Sequence, residues 1–345
     1  MKLYIRGRDV TGLASAVTTS GALAECARTL NAEIVQSPEG RGVPSVDLSE
    51  GGTVLFEADG QSFTGVLLSA TRSTSSRTVS VTAKDMGTYV KRNKIVAKLR
   101  NATPAEATRT LCEQAGVPVG DLADTTATFS RSFMGVTLYE AIMTAYTLCG
   151  EGRKYRISME GTSLCVRPQG ETLAGVVRTG VNLIDAAYTA DAGAVVTAVD
   201  VYDSSGKLLE RVESGLTGLG EVREAVIMSS DRDGARERAD ALLRDGAVQR
   251  RATVQNLGNP LFVTGAAVLV EEPFTGLYGR FYIESDVHTW RKGLYTNKLT
   301  LAWENTMDEK EAGEEIRAAK AKRSGGTDKP SGEVVFRLPN GEVIK

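Results

Sequence analysis

What the sequence has little of narrows its class first. Its four cysteines, Cys26, Cys112, Cys149 and Cys165, stand far apart and form no C-x-x-C pair, so neither a zinc site nor a disulfide framework is indicated. No apolar run approaches the ~18 residues that a spanning helix needs, so no membrane partner is expected. Residues Met1 to Gly12 hold no apolar stretch of the signal-peptide kind, and the expectation is a protein made and kept in a cytoplasm. Neither sign of charge is in excess: 41 Lys and Arg face 43 Asp and Glu, for a net charge of −2. Nucleic-acid binding would call for a basic excess and disorder for an acidic one, so neither is expected. Nine prolines against 36 glycines suit many turns better than long helices.

What is present is ordinary globular material. Hydrophobic residues make up 41% of the chain and charged residues 24%, enough to build packed cores. A length of 345 residues predicts two or three domains.

Periodicity divides the chain into four parts. Residues 1–95 read mainly as strands: Val54, Phe56 and Ala58 alternate with Leu55 and Glu57, and Val79, Val81 and Ala83 with Ser80 and Thr82. Within them, Leu23, Cys26, Ala27 and Leu30 fall at helical spacing behind Ser20, which predicts one short helix. Residues 69–78 read as a polar loop or hairpin tip. Residues 96–170 change character. Thr103-Pro104-Ala105-Glu106 and Thr137-Leu138-Tyr139-Glu140 are capping boxes, each opening a helix that stops at a glycine, Gly116 or Gly150. Two strands about the turn Glu160 to Ser163 complete an α+β insert. Residues 171–305 return to strands, with one helical stripe over Ala235, Ala239, Leu242 and Leu243. Residues 306–323 are charge-dense and helix-prone. Ser324 to Gly332 reads as a flexible linker, and Asn340-Gly341 predicts a terminal hairpin that needs a partner surface to order. The predicted fold class is mainly β with an α+β insert: two small β-barrel domains flanking a two-helix plus hairpin domain, with an extended C-terminal tail.

Each candidate for chemistry has a better structural reading. His288, the only histidine, is placed between two strands with Asp286 near enough to orient it, but no G-x-S-x-G elbow or catalytic cysteine signature supplies a nucleophile. Ser229 to Asp240 imitates a calcium loop, yet it begins with Ser, ends with Asp rather than a bidentate Glu, and sets Arg236 at its eighth position. Acids at the start of the following helix explain the same residues through the helix dipole. Gly215-Leu-Thr-Gly218-Leu-Gly220 lacks the lysine and the parallel context of a phosphate loop. Arg250-Arg251 and Lys320 to Arg323 are too short for a nucleic-acid footprint. Catalytic, cofactor-binding and metal residues are therefore each expected to be none.

The order of elements resembles the XkdQ-like baseplate hub proteins of contractile phage tails and tailocins over about residues 50–305. Four stretches carry the resemblance: Gly65–Tyr89, with Thr82-Ala-Lys-Asp85; Thr103–Val117 together with Val136–Val166; Val195–Leu209, with Val199-Asp-Val-Tyr-Asp203; and Gly258–Trp303. The resemblance implies a non-enzymatic homotrimer in which two barrel domains per subunit make a pseudo-sixfold ring. Its partners would be the tail tube protein, the spike protein and baseplate wedge proteins. It would reside in a virion or phage-tail-like particle assembled in the bacterial cytoplasm. The alternative is a cell-wall-directed hydrolase or glycan-binding tail module, since relatives of hubs are sometimes labelled hydrolases.

Overall fold

Alternation fixes the first lobe. Val54, Phe56 and Ala58 are buried while Thr53, Leu55 and Glu57 face solvent, and Val79, Val81 and Ala83 are buried around an exposed Ser80. The structure is a computed structural model that describes residues 1–36, 42, 45–73, 76, 78–228, 232–316, 336–337 and 343–344. The first lobe contains β1 (Lys2–Ile5), β2 (Arg8–Asp9), β3 (Ala14–Ala22), β4 (Thr29–Val35), β5 (Thr53–Ala58), β6 (Gln61–Arg72) and β7 (Thr78–Asp85). These strands pair in the order β3-β4-β7-β6-β5-β1-β2. Side chains from all of them except β2 meet in one core, so the sheet is curled about it.

The insert follows with α1 (Gly87–Arg92), β8 (Lys94–Ala102), α2 (Pro104–Ala115), β9 (Val119–Leu122), β10 (Phe129–Thr137), α3 (Leu138–Cys149), β11 (Tyr155–Glu160) and β12 (Ser163–Pro168). Both capping boxes form. Thr103 Oγ1 accepts from the Glu106 amide at 3.3 Å while Glu106 accepts from the Thr103 amide at 3.0 Å, and Thr137 and Glu140 do the same at 3.1 and 2.9 Å. Helix α2 stops at Gly116, whose φ of 66° suits a residue without a Cβ. Buried faces of α2 and α3 pack with β8, β10, β11 and β12 into a second core.

The second lobe opens with β13 (Leu173–Arg178) and β14 (Leu183–Asp191). A small unit of β15 (Ala198–Tyr202), β16 (Leu208–Glu213), β17 (Arg223–Ile227) and α4 (Arg232–Asp245) is set between β14 and β18 (Gln249–Leu257). The lobe closes with β19 (Ala267–Glu272), β20 (Leu277–Arg291) and β21 (Leu294–Ala302). Beyond it are β22 (Glu314–Glu315) and a hairpin pair, β23 (Phe336–Arg337) with β24 (Val343–Ile344).

Strand β20, 15 residues long, joins the lobes. Its first part pairs with β19, its remainder with β21, and Ser285–Arg291 pairs along its other side with β3 of the first lobe. One sheet therefore runs β14-β18-β21-β20-β3-β4-β7-β6-β5-β1-β2, with β19 and β13 branching from β20. This corrects the expectation of two barrels. Among the described residues neither lobe closes on itself, because no ladder joins β1 to β3 or β13 to β14, and the ladder that does form crosses between lobes.

Three local expectations also change. No helix spans residues 23–30: Ser20 lies inside β3, Leu30 begins the buried alternation Leu30-Ala32-Ile34 in β4, and Cys26 and Ala27 are buried in the connection. A hairpin with buried connecting residues repeats apolar side chains at spacings a short helix would share, and ladder pairing on both sides of β3 decides it. His288 lies within β20 rather than between strands. Residues 306–316 are extended, not helical. Their backbone is drawn onto the insert, where the Lys310 and Ala312 amides donate to Thr147 Oγ1 and Thr144 Oγ1, Met307 is buried, and β22 adds to the edge of β10. The stretch 317–323, the linker and the Asn340-Gly341 turn lie outside the described residues.

Candidate functional site

A strand's period of two puts Asp286, His288 and Trp290 on the same face of β20, the face turned to the core. Two polar groups on a buried face need partners. Asp286 is fully buried and takes four protein groups. Arg28 donates through Nη2 at 2.5 Å and Nη1 at 3.1 Å, the Thr264 amide and hydroxyl each donate at 2.7 Å, and His288 Nε2 lies 3.2 Å away. Burial alone would raise its carboxyl pKa. The Arg28 cation and the hydrogen bonds from His288 and Arg28 reverse this and hold it far below the usual carboxylate range.

The His288 ring is equally committed. Its Nδ1 meets the Tyr295 hydroxyl at 2.7 Å and the Asn297 amide at 3.0 Å, and its Nε2 lies 3.1 Å from the Phe262 carbonyl oxygen. Trp290 stacks on Tyr295 at 4.7 Å and meets Phe56 edge-on at 4.8 Å, so it belongs to the first lobe's core although its strand belongs to the second. Its indole N–H donates to Asp59 at 2.7 Å, and Gln61 donates to the Pro260 carbonyl at 2.6 Å. These contacts lock the two lobes into one body. A buried hydrogen-bonded network of this kind fixes geometry.

Among residues read as candidates, the structure joins Asp286 with His288 and scatters the rest. Residues 229–231 of the calcium-like string lie outside the described residues, and Asp240 stands on α4 at 3.6 Å from Arg236. Gly215 to Gly220 forms the connection between β16 and β17, with Gly215 and Gly218 at φ of 72° and 85°. All four cysteines are free and buried. Cys26 donates to the Gly87 carbonyl at 3.0 Å, and burial pushes its thiol up to about 12. Sequence reading missed Arg28, Asp59, Thr264 and Asn297. Polar residues at i and i+2 on a core face were a legible signal for Asp286 and His288. Arg28, 258 residues away from Asp286, carried none.

Surfaces for assembly lie outside the lock. The face of the sheet opposite the cores is polar across both lobes. One row runs Gln255-Lys298-Val287-Ser20-Thr29-Lys84 from β18 to β7. Strand β14 is the terminal strand of the sheet, with seven of its nine residues exposed, among them Ile184 and Tyr188. Among the described residues its outer edge pairs with no strand, which leaves backbone groups open to augmentation. Further exposed apolar side chains, Leu208, Leu219, Val222 and Ile227, lie on the small unit inserted after β14.

Comparison with known proteins gives a consistent picture. The model of a family described as YQBQ-like matches residues 17–302. The phage-like element PBSX protein XkdQ of Bacillus subtilis (strain 168) is 25% identical over 311 residues, which cover 86% of this chain and 94% of that one. Among solved structures, the 43 kDa tail protein of prophage MuSo2 from Shewanella oneidensis is similar with a TM-score of 0.64 at 15% identity, covering 87% of this chain and 97% of that one. The E. coli c3393 protein, described as a component of the type VI secretion system with structural similarity to T4 tail proteins gp27 and gp5, is similar with a TM-score of 0.52 at 10% identity, covering 92% and 80%. At such identities the structural likeness is one of fold.

Proposed function

The chain belongs to the YQBQ-like family, and we propose that it is the structural baseplate hub of a contractile tail, a trimeric adaptor between a sixfold tail tube and a threefold spike. The observation that carries this reading is the single sheet that β20 shares between two lobes of six strands each, counting β1 and β3–β7 in one and β13, β14 and β18–β21 in the other. A subunit that offers two such lobes as one body lets three subunits present six lobes to the tube and three repeats to the spike. Heterologous contacts that close on themselves are the physical route to such a ring. In this reading residues 1–95 and 171–305 are the ring-forming lobes, 96–170 is the insert and 306–345 is a C-terminal tail.

Three features support it. The lock around Asp286 resists hinge motion between lobes. The exposed edge of β14 and the polar sheet face leave surface for neighbours: tube, spike and wedge proteins. The fold is that of a prophage tail protein and of a secretion-system component built on similar lines. The setting is a virion or a phage-tail-like particle such as a tailocin, put together in the bacterial cytoplasm.

Mass photometry and negative-stain images test the proposal. A trimer, or a three-subunit ring once tube and spike proteins are added, is the expected result. A strict monomer at high concentration that forms no ring with either partner counts against it. The reading assigns no catalytic step, and the one histidine is buried with both ring nitrogens engaged. Clearing on a peptidoglycan zymogram that is lost in His288→Ala would overturn that part.

A further inference from the structure

The three units of the chain meet at a small cleft. The turn from Gly21 to Arg28 supplies one wall, Arg156, Ile157 and Ser158 of β11 a second, and Thr264 of the second lobe a third. The cleft is about 30 Å³ in volume. A space of this size takes one or two waters or one monatomic ion.

Two arginines enter it, and each lies across a glycine. A Cβ on Gly21 would stand 2.7 Å from Arg28 Nη1, and a Cβ on Gly265 would stand 2.5 Å from Arg156 Cδ and 2.9 Å from its Nε. Gly21 therefore makes room for the Arg28 guanidinium and Gly265 for the Arg156 stem. The charges are balanced unequally. Arg28 is neutralised by Asp286. Arg156 has no hydrogen bond or ion pair among the described residues, and its cross-strand neighbour is another cation, Arg167, which pairs with Asp121 and Glu160. The one carboxylate lining the cleft, Glu25, is held by Lys91 at 2.9 Å. Burial and the nearby Arg28 cation lower the proton affinity of the Arg156 guanidinium, and the Asp286 carboxylate, already paired with Arg28, offsets this only in part. The Ser158 side chain also lines the cleft and makes no hydrogen bond among the described residues.

We propose that this cleft binds a small inorganic anion of chloride size, held by the Arg156 guanidinium and the Ser158 hydroxyl. A part-buried, unpaired guanidinium is costly, and an anion drawn from solvent removes that cost. Because its walls come from both lobes and the insert, the bound anion ties all three together. A water molecule fits the same volume but leaves the Arg156 charge uncompensated.

The test is the melting midpoint of the full chain in sodium chloride, bromide and gluconate at matched ionic strength. Chloride and bromide should raise the midpoint saturably over gluconate, by about 2 °C once the halide is well above its dissociation constant. Bromide is informative because its general effect on proteins is not stabilising. Arg156→Met should abolish the halide-specific rise, Arg156→Lys should keep part of it, and Arg251→Met, at an exposed cation on β18 with no ion pair among the described residues, should keep all of it. Superimposed curves in the three salts, or an undiminished rise in Arg156→Met, would overturn the proposal. If Arg156→Met does not fold, bromide-soaked crystals of the unaltered protein decide it. An anomalous peak within hydrogen-bonding reach of Arg156 and Ser158 is expected, and none at full soak refutes it.

Discussion

Replacing Asp286 by Ala should be among the most damaging single changes in this chain. The substitution leaves Arg28 without its counter-ion, and with a side chain only 24% exposed that cation cannot recover full hydration. Breaking a buried pair by removing one partner costs about 3–5 kcal/mol, and partial exposure of Arg28 places this pair near ~3 kcal/mol. The buried Thr264 amide loses its acceptor as well, which adds about 1 kcal/mol. The expected loss is about 4 kcal/mol, a large share of the stability of any domain. Urea denaturation followed by tryptophan fluorescence reads it, since Trp290, one of two tryptophans, lies at the lobe junction. A double-mutant cycle separates the lock from a general cavity effect. Arg28→Met combined with Asp286→Ala should cost at least ~2 kcal/mol less than the sum of the two single changes, because the second removal no longer orphans a charge. A loss below ~1 kcal/mol for Asp286→Ala, or simple additivity in the cycle, would refute the claim that this ion pair holds the lobes together.

Other expectations follow from the same structure. The carboxyl of Asp85 is pushed up to about 6 by burial, against the pull of amide hydrogen bonds from Arg28 and Gly87. The folded chain thus holds a proton that the unfolded chain releases near pH ~4, so this contribution to stability is lost as pH rises from about 4 through about 6. Asp85→Asn should flatten that part of a melting-point profile. Asp286 acts oppositely: its depressed carboxyl stabilises the fold above its unfolded value and ceases to do so in strong acid. Met307→Ala should destabilise the insert by about 2–3 kcal/mol, since it empties a buried position in that core, and amide exchange in α3 should report it. Ile184→Lys with Thr189→Lys, on the exposed edge strand β14, should leave the melting point within about 1 °C while reducing subunit association measured by light scattering.

Much of this protein is written locally. Helices α2 and α3 follow from Thr and Glu three residues apart and from a terminal glycine, because capping is decided within one turn. The strands of both lobes follow from alternation, since burial of one face imposes a period of two. Tertiary structure decided the rest. Leu23 to Leu30 has helical spacing yet forms a hairpin connection and the start of β4, because β3 finds ladder partners on both sides. Residues 306–316 favour a helix by composition, yet they extend where Thr144 and Thr147 offer acceptors for their amides. Two strand-rich regions predict two barrels, but an edge strand can pair with any exposed edge, and only the assembled chain brings Ser285–Arg291 against β3. The Arg28–Asp286 pair has the same origin. Residue types and spacing determine which segments bend, extend or bury a face. Which distant charge or edge they meet is set by long-range contacts that no local pattern encodes.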